Sequence, residues 1–554
     1  ADADFVGPVH GEAMLPESPP ISTMKDAAVP PGTDTARMKT SLVRTLAGVA
    51  LLGMLLSGCT PLIPRRQADY SEPSAECRAV YAPYANGDSR RPPDLGASAC
   101  WQRSVESYPD AGYELVFTEF DDQGWTARSR SETVDRLEST LERLRHIQKR
   151  AGGQALSLVV YVHGWRHDAS ANDADVIEFR KLLHSLARQE RMASEGKQIV
   201  GLYVGWRGQS IDMPLIDTAL TFWDRKATAE RVASGSVREL FSRLDQWRDT
   251  LSNQDCTSSG TAQLATKDKN YSPGNCVHML TIGHSMGGLI VLQSMSANMV
   301  RLASAAVENQ ASHQSQPGVA NLPPYMPRQG DLVIVVNAAL EGARHEALHR
   351  ATRQHNLQYR RDQLPVLISV TSDADLATRM AFPAARILST VLQPTPTRSQ
   401  WRATVLTAGH DDRYLTHDLV KSSPSCAEMS KDGDKTPSTE LLQAEKSQIT
   451  RRVQEIRDGR SAADARHYGQ EEHFCNGLIL KARPENWSPA GNPVWIVHTT
   501  KDVIENHGNI YNPHFLSFVR TVYGQIISVL NSSGGRDADN QRRSSTPPHA
   551  SDAR

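Results

Sequence analysis

The stretch Leu280–Met295, LTIGHSMGGLIVLQSM, constrains this chain more than any other. Val277–Ile282 is a short apolar run that reads as a buried strand, and Gly288–Met299 has helical apolar spacing. Between them stands Gly283-His284-Ser285-Met286-Gly287, with no residues to spare for a loop. A strand that turns this sharply into a helix is the setting of a G-x-S-x-G nucleophile elbow. Small residues must flank such a serine, because a Cβ at Gly283 or Gly287 would collide with neighbouring backbone. The serine is then lifted out at the carboxyl edge of a sheet, above a helix N-terminus.

Further strands fit the same layer. Tyr113–Phe120 alternates and reads as a first strand. Leu156–Val162, LSLVVYV, is continuously apolar, as in a strand covered on both faces. Ile199–Val204, Leu332–Val336, Leu364–Thr371 and Val494–Val497 complete the set. Glu132–Arg150, Leu220–Leu244, Ser438–Arg457 and His514–Leu530 have helical spacing. Phe222 and Trp223 are candidates for a substrate groove or for core. Strands alternating with helices predict an α/β protein with a mostly parallel central sheet, helices on both faces and a long late insertion at about 394–493. That insertion could cover the site or decorate the surface.

In such sheets reactive groups gather at the carboxyl ends of strands. A serine hydroxyl needs a base within reach, and the base needs a third group to hold its tautomer. Histidine suits the base, its pKa being near about 6.5. His507, in the polar loop ENHGNIYNP beyond the last strand, is the chosen base; His498, His514, His410 and His417 are alternatives. Asp375, in VTSDADLAT at a strand exit, is the chosen acid, with Asp373 and then Asp502 behind it. The chain order is Ser285, Asp375, His507.

GHSMGG after an apolar strand, with VVYVHGW upstream, resembles the α/β-hydrolase superfamily, and more narrowly its bacterial serine esterases and lipase-like members. The resemblance spans roughly residues 113–530 and is most specific at these two segments. It implies an oxyanion hole built from the backbone N–H of Met286 and of Trp165, and a Ser-x-x-Asp-x-Ala-like acid loop at Asp375. The Trp165 side chain could instead wall the pocket. His163 is read as a structural residue that fixes its loop. The chemistry needs no cofactor and no metal, and no zinc-spaced cluster of His and Cys is apparent.

Charge is balanced, 61 Lys+Arg against 62 Asp+Glu, so no basic field argues for nucleic acid. Residues 1–37 lack periodicity and read as disordered or as an extension upstream of the natural product, with Met38 as an internal start. Residues 38–58 join a basic start to the apolar run Leu46–Leu56, too short for a stable span, and read as a secretory signal. Leu56-Ser57-Gly58-Cys59 resembles a bacterial lipobox, which implies lipidation at Cys59 and a membrane-anchored envelope protein, facing the periplasm or exposed at the surface. Residues 59–110 read as a tether, 111–530 as the catalytic domain and 531–554 as a disordered tail. The remaining six cysteines suggest the pairs Cys77–Cys100, Cys256–Cys276 and Cys426–Cys475, each bracketing a polar stretch, with six unpaired thiols as the alternative.

The expected activity is serine hydrolysis of carboxylic esters through an acyl-enzyme, falling off below about pH 6 as the base protonates. Phospholipase, thioesterase, peptidase and acyltransferase chemistry use the same constellation. From another class, a non-catalytic lipoprotein could bind or scaffold on a hydrolase-like fold. Small-molecule or lipid esters are the expected partners, and no protein partner is legible.

Overall fold

The structure is a computed structural model that describes residues 64–86, 99–127, 134–151, 155–193, 197–208, 217–252, 277–314, 323–353, 357–360, 362–422, 437–458, 471–483, 488–489 and 491–531. The signal segment, Cys59, Cys256, Cys276, Cys426 and the tail from residue 532 lie outside them.

One 11-stranded sheet organises the chain. Its strands are β1 Val105–Tyr108, β2 Tyr113–Phe120, β3 Leu156–Val162, β4 Gln198–Trp206, β5 Val277–His284, β6 Leu332–Val336, β7 Leu367–Ser372, β8 His417–Lys421, β9 Glu471–His473, β10 Leu478–Ala482 and β11 Val494–Thr499. They lie in the order β1-β2-β4-β3-β5-β6-β7-β11-β8-β10-β9. From β2 to β8 every neighbouring pair is parallel, and the outer pairs β1–β2, β8–β10 and β10–β9 are antiparallel. The molecule is therefore an α/β protein with a mostly parallel mixed sheet.

The continuous apolar runs follow from cover on both faces. Along β3, Leu158, Val160 and Val162 join one core cluster, while Val159 and Tyr161 join the other. The first cluster is closed by α2 (Arg136–Arg150), α4 (Asp217–Ser234), α5 (Val237–Ser252) and α6 (Met286–Gln314). The second is closed by α1 (Ala75–Tyr81), α3 (Ala174–Ala193) and α11 (Pro513–Leu530), with α10 (Thr439–Arg457) packed on α11. The small helices α7 (Glu346–Thr352), α8 (Phe382–Thr390) and α9 (Arg398–Val405) lie in the loops after β6 and β7.

Three expectations are corrected. Residues 64–86 and 99–110 are not a tether. Arg66 is 1% exposed and bonds Glu106, α1 is joined to the segment before β1 by the Cys77–Cys100 disulfide, and β1 forms the sheet edge. Arginine and proline content suggested a loose segment, but Glu106 accepts from both Arg66 and Arg180, so the charges neutralise one another inside. The helix expected over 220–244 is two helices. Gly235 sits so close to Gly124 that a Cβ would overlap its backbone, and the chain turns there. The stretch 394–493 does not merely decorate the surface, because β8, β9 and β10 extend the sheet within it. Polar residues on β8 and β9 hid their period.

Candidate active site

Ser285 follows β5 directly and adopts φ 54°, a left-handed conformation that costs a non-glycine residue energy and persists only where its surroundings enforce it. Those surroundings are visible. The Ser285 N–H donates to the Val336 carbonyl at 3.0 Å, and the Ser285 carbonyl accepts from Ala339 at 3.1 Å and Leu289 at 3.2 Å. A Cβ on Gly283 would lie 2.9 Å from the Gly287 oxygen and from the Gly288 Cα. One on Gly287 would overlap the carbonyl oxygens of Val162 and His163. The two glycines thus let α6 and the end of β3 close on the turn.

His507 comes from the loop between β11 and α11. Its Nε2 is 2.7 Å from Ser285 Oγ, across a sequence separation of 222. Its Nδ1 is 2.8 Å from Asp375 Oδ2, with the ring N–H directed off that line. Asp375 is fully buried after β7 and also accepts from Ala377 N at 2.9 Å, Thr378 N at 3.2 Å and Thr378 Oγ1 at 2.5 Å. Burial pushes its pKa up, but the His507 contact and the Thr378 donors outweigh it and hold the carboxyl below its ordinary value. The Thr378 hydroxyl, its hydrogen directed at Asp375, accepts at 3.1 Å from His410; burial lowers the His410 pKa to about 4.

The alternatives fall elsewhere. Asp373 is half-buried and its backbone joins Thr499 and Arg379. Asp502 is exposed. His498 lies 3.2 Å from Asp418, His514 meets the Asn476 carbonyl, and His417 meets Thr416.

The segment after β3 abuts the serine. A Cβ on Gly164 would come within 3.0 Å of Ser285 Cβ. His163 is structural: Nδ1–H donates to Gly164 O at 2.9 Å, Nε2 accepts from Trp206 N at 3.0 Å, and burial lowers its pKa. His167 braces the same loop through Asp173 at 3.0 Å. Burial opposes its charge, but Asp173 and Asp175 prevail and raise it to about 9. The Met286 and Trp165 amides have no acceptor among the described residues, which leaves two donors beside the serine. The Trp165 ring is half-buried and meets Phe222 edge-on at 5.5 Å, with Trp223 edge-on to Phe222.

Two further residues hold the His507 loop and were not read from the sequence. His284 Nε2 donates to the His507 carbonyl at 2.8 Å, and Asn337 Nδ2 donates to the same oxygen at 3.0 Å. Asn337, at φ 49°, also accepts from Ser372 N at 3.0 Å, so it links β6, β7 and the His507 loop. Its position just past β6, beside the nucleophile strand, was the available signal.

By fold and site the chain is an α/β protein whose sheet edge carries a contiguous Ser285–His507–Asp375 arrangement. No family model, no curated protein and no solved structure matches it.

Proposed function

We propose that the chain is a serine hydrolase of the α/β-hydrolase fold that cleaves carboxylic esters. The observation that carries this is the unbroken contact from Ser285 Oγ through the His507 ring to Asp375. The strand–turn–helix setting, the positive φ at Ser285 and the chain order Ser, Asp, His support the same reading.

His507 Nε2 takes the Ser285 proton as Oγ attacks the ester carbonyl. The tetrahedral oxyanion receives the Met286 and Trp165 amides, and each such donor contributes about 2.7–4 kcal/mol. As the C–O bond breaks, His507 returns the proton to the departing alkoxide, leaving Ser285 acylated. Water then gives its proton to His507 and attacks the acyl carbon, and Ser285 regains its proton as the acid leaves. Asp375 holds the tautomer and offsets the imidazolium charge.

The Cys59 lipobox supports anchoring in a bacterial envelope membrane, with the site facing periplasm or exterior. Replacing Cys59 with serine then frees the protein from the membrane fraction; continued retention contradicts the anchor. Ser285→Ala abolishes p-nitrophenyl ester cleavage; undiminished turnover removes the nucleophile and the proposal with it.

A further inference from the structure

The acid loop is also the root of an unusual surface. The chain leaves the site at Asp375 and returns at His410, and both ends meet at the Thr378 hydroxyl. Between them, Leu376, Met380, Ile387, Leu388, Val391 and Leu392 stand open to solvent, joined by Trp401 on α9. Leu388, Val391 and Leu392 are 79%, 73% and 93% exposed. Ile387 and Val391 stand four positions apart, as do Leu388 and Leu392, so each pair follows the last turn of α8 and its C-cap. Phe382, Pro383 and Thr390 are buried, so α8 is anchored by its inner side while its outer stripe is bare. A soluble surface rarely keeps so many large apolar groups together without a partner.

Charge selects the partner. From residue 376 to 409 there is no Asp or Glu, and the charged residues are Arg379, Arg386, Arg398 and Arg402. Arg386 lies 3.1 Å from Glu341 and Arg402 lies 3.4 Å from Asp411. Arg379 and Arg398 are exposed and have no carboxylate partner among the described residues. Bare leucines, an interfacial tryptophan and unneutralised arginines suit a surface that is apolar below and anionic above.

We infer that the excursion 376–401 docks on an anionic lipid bilayer, its apolar stripe entering the headgroup–acyl boundary and Arg379 and Arg398 meeting lipid phosphates. Docking holds the acid side of the site against the bilayer. Insofar as the hydrolase reading holds, this names lipid esters drawn from that surface as the substrate class.

The test uses the full chain carrying Cys59→Ser, so that no acyl anchor contributes. Its partitioning is measured onto vesicles of phosphatidylcholine alone and of phosphatidylcholine with phosphatidylglycerol. Leu388→Asp with Leu392→Asp is expected to weaken binding to both by about tenfold or more. Arg398→Glu is expected to weaken binding by about tenfold on the anionic vesicles only. Thermal melts and p-nitrophenyl acetate turnover should match the parent chain. Equal binding by parent and variants, or no binding by any, overturns the inference. So does a fall in oligomeric mass with unchanged vesicle binding, which assigns the stripe to a second copy. If no chain turns over the ester, the catalytic reading fails and the docking result stands by itself.

Discussion

His284 Nε2 donates to the main-chain carbonyl of His507 at 2.8 Å, so the residue just before Ser285 restrains the loop that carries His507. Burial lowers the His284 pKa to about 4, and the neighbouring His507 pushes the same way. The ring is therefore neutral near pH 7 and keeps one fixed N–H for this bond. Asn337 supplies the second donor to the same oxygen. His284→Ala should lower kcat by about tenfold to a hundredfold, because a small displacement of the base is costly while the triad remains intact. Steady-state ester hydrolysis checks this, and an unchanged kcat removes His284 from a positioning role.

The two aspartates of the acid loop are separated by substitution. Asp375→Asn keeps the shape but loses the carboxylate at 2.8 Å from His507 Nδ1, and kcat should drop by about 10⁴. Asp373→Asn should leave kcat within about twofold, since only its backbone is engaged near the site. A reversed pattern reassigns the acid.

Gly287 tests the elbow itself. A Cβ there meets the carbonyl oxygens of Val162 and His163, which belong to backbone that cannot step aside. Gly287→Ala should destabilise the protein by about 1–3 kcal/mol or more and lower turnover. Chemical denaturation gives the first and ester cleavage the second; a variant as stable and active as the parent contradicts the described closeness of α6 and β3.

Acid sensitivity follows from buried imidazoles. Burial lowers His284, His345, His349, His410 and His417 to about 4 from 6.5. Between those values the unfolded chain binds more protons than the folded one, so stability falls as pH drops through the window. His167 works in reverse. Raised to about 9, it adds stability below its unfolded value of 6.5 that is lost as pH rises through its folded value. Melting temperature should therefore peak near about pH 6.5–7 and decline on both sides, more steeply towards acid. A melting temperature that stays flat down to about pH 4.5 contradicts the neutral buried state of these histidines.

β5 and β3 were legible because burial on both faces writes a continuous apolar run into the sequence. Ser285, Asp375 and His507 were legible because each follows such a run at its carboxyl end. The edge strands were not: β1 contains Glu106 and β9 is Glu471–His473, and neither carries an apolar period. Glu106 is buried only because Arg66 and Arg180 converge on it from distant segments. His284, Asn337 and Thr378 were missed for a related reason. Their roles are contacts to a backbone oxygen and to another side chain, and no spacing rule encodes a partner that is far away in the chain.

The most direct measurement is covalent. A serine oxygen attacks the phosphorus of a fluorophosphonate and expels fluoride only where its proton has somewhere to go, and peptide mass mapping locates the adduct. One modified residue, Ser285, is expected, with labelling lost in Ser285→Ala and strongly slowed in His507→Ala. An unlabelled Ser285, or labelling that proceeds at the parent rate without His507, contradicts the proposed mechanism.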